Sequence, residues 1–424
     1  MIKQTIQVEI IQRDGYSKIG MLKLNQKTIQ VPCYGIKYRN KKDVDLFTES
    51  NFPKEYIGIS CFDIFDAKKL TGDYENNNST KQQNLFGIII EDNYSILSKK
   101  MMKIVDPATE YFYFQNDEKR NQYQELNLIP KEIINTLNHS NTKTHKNYWD
   151  NELYPNRGTI VDWYVSYQSL MNADVIIPPT PLIDGSPELL SYAKDINKLT
   201  TLYAEARHKI SSLYFLLHGR VLKDHVTQCN DILTFLNDNE EIKNTKIIFL
   251  KIKGIDLHED VDARHNLKQF LEGLSFICES TGRFAFIIDS NSLGLISITK
   301  GINGFIEPMN WHTEVKYGTP SEGSHLGNYY DPYRLTIRNF NSIKNYQKNN
   351  GGLPCNCSAC LKMKRIDLND ISPSSWNEFR RLHLLESRNM ELHDIHSMIK
   401  NQHSRMFFDK VSKSELKNYV DIFD

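Results

Sequence analysis

Three cysteines stand within six residues, in Cys355-Asn356-Cys357-Ser358-Ala359-Cys360, and a histidine, His383, follows after 22 intervening residues. Three thiolates and one imidazole make the donor set of a closed tetrahedral zinc site, which leaves no open position for a substrate. Gly351-Gly352-Leu353-Pro354 places a turn ahead of the cysteines, so the three sulfurs can converge locally. A histidine from the next helical stretch would then pin that helix to the loop. On spacing alone His393 and His396 rival His383 as fourth ligand. Cys33, Cys61, Cys229 and Cys278 are scattered singly, which is no disulfide framework. The expected cofactor is one structural Zn2+.

The chain has 424 residues, enough for one barrel-sized domain and an appendage. Its 52 basic residues balance 52 acidic ones, so no global field steers it toward nucleic acid, although a local basic patch is compatible with this balance. Met1 to Gln4 leads into a polar alternating segment, and no apolar run reaches the roughly 18 residues of a membrane span. A soluble cytoplasmic protein in a reducing compartment is expected, with no membrane association.

The elements that must position any chemistry follow from periodicity. The first 35 residues alternate apolar and polar around Arg13-Asp14-Gly15 and again around Asn25-Gln26, which reads as an antiparallel hairpin or small sheet within an N-terminal β segment over residues 1–48. Short apolar runs then recur, each followed by a longer helical pattern: Tyr56 to Ser60, Met101 to Val105, Asp174 to Ile177, Leu213 to Leu217, Ile247 to Ile252, Phe284 to Ile288 and Gly304 to Ile306. Continuous apolar strands alternating with helices indicate a parallel sheet covered by helices. The number of units fits a (β/α)8 TIM-type barrel over residues 49–345, whose active site would lie at the C-terminal strand ends. Residues 346–424 read as a zinc-binding and helical subdomain, with a helix over 373–402 behind Ser372-Pro373. Asp73 to Gln82 and Gln115 to Asn147, rich in polar residues, read as surface insertions.

A barrel carrying Cys-x-Cys-x2-Cys-x22-His near its end resembles the tRNA-guanine transglycosylase superfamily, the queuine and archaeosine enzymes and their DNA-modifying relatives. The likeness is strongest in the zinc segment, where it favours His383 as the fourth ligand. It implies an enzyme, a pentosyltransferase, that exchanges a guanine in nucleic acid for a 7-deazaguanine through a covalent glycosyl intermediate. It also implies a homodimer or a partner subunit contacted through the zinc region. Divergence from the tRNA enzymes around the base and the nucleophile points to the DNA-modifying branch.

The same resemblance assigns candidate residues. Asp106, in Lys103-Ile104-Val105-Asp106-Pro107, is similar to the aspartate beside the exchanged base, although Pro107-Ala108-Thr109-Glu110-Tyr111 replaces the family's Gly-rich turn. Leu217-His218-Gly219 is similar to a Val-Gln-Gly that lines the base pocket, and Lys253-Gly254-Ile255-Asp256-Leu257-His258-Glu259 to a base-binding loop acting through Gly254 and Glu259. Thr180 stands where the family has a base-reading aspartate, with Asp184 four residues on as a substitute. At the expected nucleophile, in Gly301-Ile302-Asn303-Gly304-Phe305-Ile306-Glu307, an isoleucine aligns, so the carboxylate nucleophile falls to Glu307 or to Asp289 at the end of the preceding strand. A retaining glycosyl transfer needs such a nucleophile and an acid/base partner, which Asp106 paired with Asp289 or Glu307 would supply. Tyr111 to Phe114 offer an aromatic wall for a flipped base. Lys362, Lys364, Arg365, Arg380, Arg381 and Arg388 form the candidate basic patch for phosphates. The alternative is a catalytically degenerate paralogue that keeps the scaffold and binds nucleic acid or a partner subunit, a reading that rests on Ile306.

Overall fold

The computed structural model describes residues 5–38, 41–64, 100–112, 145–254, 260–290, 292–309 and 328–414. Three antiparallel strands open the chain, β1 (Ile6–Asp14), β2 (Ser17–Leu24) and β3 (Lys27–Val31), in the order β1-β2-β3. β1 keeps a strict exposed and half-buried alternation, the signature of a sheet with one solvated face.

Ten further strands form one curled, wholly parallel sheet. They are β4 (Cys33–Tyr38), β5 (Ile57–Asp63), β6 (Met102–Asp106), β7 (Val175–Ile176), β8 (Leu182–Ile183), β9 (Ile210–Ser211), β10 (Leu213–His218), β11 (Ile247–Lys253), β12 (Phe284–Ile288) and β13 (Gly304–Pro308). Their order is β8-β10-β11-β12-β13-β4-β5-β6-β7-β9. Every apolar run singled out by its composition contributes to this sheet. Its first strand comes earlier than the pattern suggested, because β4 belongs to a segment grouped above with the N-terminal hairpin. Cys33–Tyr38 is buried at all six positions, pairing with β13 on one side and β5 on the other. Residues 73–82 and most of 115–147 lie outside the described residues.

Period-2 alternation divides the strands into two faces. One face gathers Cys33, Ile59, Cys61, Ile104, Leu216, Ile247, Phe249 and Ile306 into a single apolar cluster, to which Leu22, Leu24, Ile29 and Val31 of β2 and β3 also belong. The other face packs against the helices α1 (Lys41–Glu49), α2 (Arg157–Leu170), α3 (Pro187–Ala206), α4 (Gly219–Asp224), α5 (Val226–Asp238), α6 (Val261–Ser280) and α7 (Ser292–Thr299). On the interior face Gly35 leaves room for its register partner, since a Cβ there would lie 2.6 Å from Ile306 Cγ1 on the paired strand.

The C-terminal part has β14 (Tyr329–Asp331), β15 (Thr336–Arg338), α8 (Phe340–Asn350), α9 (Ser358–Met363), α10 (Pro373–Lys400) and α11 (Arg405–Ser412). α10 starts as its sequence predicts, with the Ser372 hydroxyl accepting the Ser375 amide and proline in the first turn. Trp376 and Phe340 meet edge to face within a small core of their own that includes the three cysteines. No helix among the described residues is long and apolar enough to cross a membrane.

Candidate functional site

Cys357 is the N-cap of α9 and Cys360 lies in its first turn, so their sulfurs face the same side. The Cys355 Sγ accepts the Cys357 amide and the Cys357 Sγ the Cys360 amide, both at 3.3 Å. His383 of α10 brings Nδ1 to 3.2 Å from Cys357 Sγ and 3.4 Å from Cys360 Sγ. The four donor atoms of Cys355, Cys357, Cys360 and His383 lie within 4.8 Å of one another and are buried. On its far side the imidazole donates from Nε2 to the Tyr330 carbonyl at 2.6 Å, which leaves Nδ1 as the free lone pair, the usual outer support of a metal-bound histidine. Glu386 ties the two ligand-bearing helices by accepting the amides of Ser358 and Ala359. The donor chemistry is soft and the arrangement closed, so the cluster could hold a metal ion such as zinc. The rival histidines lie elsewhere. His396 pairs with the Pro32 carbonyl at 2.8 Å, and His393 sits edge-on to the Tyr56 ring.

A second cluster forms at the C-terminal ends of the parallel strands, on the face that carries the apolar cluster just described. Asp106 ends β6 and is fully buried. Its Oδ1 accepts the Ala108 amide, and its Oδ2 accepts Lys37 Nζ of β4 and Lys251 Nζ of β11, both at 2.7 Å. The same two ammonium groups reach Asp289 just after β12, Lys37 at 3.1 Å and Lys251 at 2.9 Å, and Lys253 adds a third contact at 3.1 Å. Lys251 also pairs with Glu110, and Lys37 lies 3.9 Å from Asp63. Three cations therefore face four carboxylates. The Asp106, Glu110 and Asp289 carboxylates are close enough to hold a metal ion, yet the Lys251 ammonium already bonds all three.

Charge sets the protonation states. Burial alone would raise Asp106, but Lys251 and Lys37 overcome it and hold the carboxyl down at about 2. Asp289 is driven well below the carboxylate range by Lys251, Lys253 and Lys37 against the same burial. Lys37 and Lys251 move well above the ordinary lysine value, since Asp106 and Asp289 outweigh the cost of burial. Both aspartates are thus anions side by side, which their mutual repulsion would forbid without the lysines. Asp289 also has a left-handed backbone, φ 55°, a conformation that costs a non-glycine residue about 1 kcal/mol or more and gathers at functional sites.

Two of the three catalytic candidates, Asp106 and Asp289, meet here; the third, Glu307, does not. Position 306 faces the interior, so 307 points outward to α10, where Arg388 bonds it at 3.1 Å and 3.4 Å. Arg388 also bonds Glu391 at 2.8 Å and the Tyr330 hydroxyl at 3.0 Å. Burial pushes Glu307 up to about 7 against the pull of Arg388. Its role is to fasten β13 to the helix carrying His383.

The base-binding candidates His218, Gly219, Gly254 and Asp184 all lie at strand ends on the same rim as the lysines. His218 is the register partner of Lys253, and its Nδ1 accepts the Arg220 amide at 3.2 Å. Gly254, at φ 70°, leaves room for that ring, since a Cβ would come within 2.6 Å of His218 Nε2. Asp184 accepts the Ser186 amide at 3.1 Å and raises the His218 imidazole toward its charged form, while burial, the largest influence, and Arg220 lower it. Glu259 and the side chains of Tyr111 to Phe114 lie outside the described residues.

The basic patch is only partly assembled. Lys362, Lys364 and Arg365 are exposed around the end of α9. Arg380 turns to Asn377, Arg381 pairs with buried Asp43 of α1 at 2.8 Å, and Arg388 is fully buried. A helix presents its side chains all round, so residues close in sequence were separated onto different faces.

Sequence reasoning missed Lys37, Lys251 and Lys253. The signal was present in β11, Ile247-Ile248-Phe249-Leu250-Lys251-Ile252-Lys253, where both lysines fall on the period-2 face of Ile247 and Phe249. Three buried polar atoms around this region have no hydrogen-bond partner among the described residues: Glu110 Oε2, Thr180 Oγ1 and Ser290 Oγ. No protein-family model matches the chain, and no curated protein matches it.

Proposed function

We propose that the chain is a guanine transglycosylase-like enzyme that exchanges a guanine in nucleic acid, DNA in preference to tRNA, for a 7-deazaguanine base through a covalent glycosyl intermediate. The observation that carries this reading is the meeting of Asp106 and Asp289 under shared lysines at the C-terminal strand ends. Asp289, whose side chain is 15% exposed against 0% for Asp106, is the nucleophile that attacks the anomeric carbon. Asp106, with both oxygens occupied, orients Lys37 and Lys251, which keep Asp289 ionised. The rim residues His218 and Asp184 supply polar readers for the base.

The scaffold in this reading is an eight-unit TIM-type barrel. β7 and β8 are separated by only residues 177–181, and β9 and β10 by Ser212 alone, so each pair counts as one interrupted strand. The pairings β7 with β9 and β8 with β10 then join the two ends of the sheet order, and active sites of such barrels lie at the C-terminal strand ends. The Cys3His cluster holds a structural zinc ion, whose full set of protein ligands leaves it outside the chemistry. Exposed Lys362, Lys364 and Arg365 contact phosphates, and the zinc region meets a second copy or a partner subunit. Cytoplasmic location fits the reduced cysteines.

Incubation of the zinc-loaded protein with a labelled 7-deazaguanine base and duplex DNA or tRNA tests the proposal. Incorporation into DNA is expected, together with a trapped adduct that maps to Asp289. Polymer binding without incorporation into either nucleic acid would leave the degenerate, binding-only protein as the correct reading.

A further inference from the structure

We propose that Lys253, and not a carboxylate, passes the proton to the departing base and takes one from the incoming base, a role that rests on the transglycosylase reading above. A purine leaving a sugar carries the bonding electron pair on nitrogen and needs a proton at that atom. Asp106 cannot supply it: the carboxylate is buried, ionised and fully occupied by two ammonium groups and one amide. Asp289 accepts three ammonium groups and is equally ionised. Lys37 and Lys251 are held as cations by the carboxylates they bridge, so loss of a proton from either would leave those anions adjacent and unshielded.

Lys253 differs from both in position and in partners. It is the last residue of β11, its side chain is 18% exposed, and among the described residues its one ion-pair partner is Asp289, the nucleophile, at 3.1 Å. The groups that face it are Asp289 after β12, Lys251 on its own strand, Glu110 after β6 and Lys37 of β4, with His218 of β10 in register beside it. Burial lowers its ammonium below the ordinary lysine value and the two other lysines add to this, against Asp289 and Glu110. It is the one lysine of the three that moves toward neutrality. His218 is less suited, since its Nδ1 is tied to the Arg220 amide and its Nε2 lies against Gly254.

The exchange balances with Lys253 as carrier. Asp289 Oδ attacks the anomeric carbon as the carbon–nitrogen bond breaks. The electron pair goes to the ring nitrogen of guanine, which takes a proton from the Lys253 ammonium and leaves neutral. The incoming 7-deazaguanine then gives its ring N–H proton to the Lys253 amine while its nitrogen displaces Asp289. The enzyme returns to its starting protonation state.

Two measurements on the full zinc-loaded chain test this. Reductive methylation with formaldehyde across a pH series, read by peptide mass spectrometry, should show Lys253 half-reactive at a lower pH than the exposed lysines of the chain. The midpoint should fall further in D289N, which removes the carboxylate that raises it. In the exchange assay K253M should lower kcat by about 10²–10⁴-fold with little change in KM for the polymer. K253H should restore part of the rate with its pH limb near an imidazole value of about 6.5. A Lys253 that labels together with the exposed lysines, or a K253M variant that exchanges at the wild-type rate, overturns the inference alone. A wild-type chain that exchanges no base overturns the parent reading and this one together.

Discussion

Asp106 and Asp289 are the same side chain under the same lysines, and their surroundings give them different tasks. Removing one member of a buried, hydrogen-bonded ion pair strands its partner and costs about 3–5 kcal/mol. D106N and K251M are therefore expected to lower the urea midpoint strongly. D289N, at a partly exposed position where asparagine tolerates the left-handed backbone, should cost less stability and abolish the covalent adduct; equal losses from D106N and D289N would remove this distinction. The pH dependence follows from the signs of the shifts. Asp106 is held at about 2 against an ordinary 3.8, so its contribution is complete above the ordinary value and is lost as pH falls toward 2. Lys37 and Lys251 are shifted upward from 10.5, so theirs is complete below that value and lost as pH rises through the folded one. Thermal melts across pH should show a plateau with an acid limb that D106N flattens and an alkaline limb that K37M flattens.

At the scale of elements, α10 joins the cysteine cluster to the parallel sheet. His383 faces the sulfurs, and five residues on, Arg388 grips Glu307 of β13 and Glu391 of α10 itself. Tyr330 completes the link, its carbonyl on His383 and its hydroxyl on Arg388 and Glu391. If the cluster holds zinc, elemental analysis should find about one ion per chain, and H383A or C360S should lose it. Cobalt substitution should give the thiolate-to-metal absorption of a tetrahedral site. Trp376, wholly buried in the same small core as the cysteines, reports on the unit. Chelation should shift its emission to the red, with W376F removing that change, and an unchanged emission on metal loss would mean that the metal does not organise this core. R388M should lower the melting temperature with the metal retained, because it breaks the link and leaves the ligands in place. The cysteine set was legible in the chain because its spacing is local, whereas the partner of Arg388 was not, since Glu307 lies 81 residues away.

At the scale of the whole molecule, formal neutrality means that the proposed polymer contact would have to be made by a local surface. Replacing Lys362, Lys364 and Arg365 by glutamine should weaken DNA binding similarly across sequences. It should also reduce the salt dependence of log K by roughly one unit for each phosphate that is no longer neutralised. Fluorescence anisotropy at several salt concentrations measures both, and an unchanged slope would place the polymer elsewhere. Arg381 belongs to a different surface, and R381Q should act on stability through Asp43. By itself the sequence determined the soft-donor cluster, the alternation of apolar strands with helices and the position of Asp106 and Asp289 at strand ends, because each is written in local spacing or periodicity. Only the tertiary structure decided that β4 joins the parallel sheet, that Glu307 faces a helix, and that Lys37, Lys251 and Lys253 converge on two aspartates. Those outcomes depend on which strands become neighbours, and a buried charge acquires its chemistry from the partners that the closing sheet brings to it.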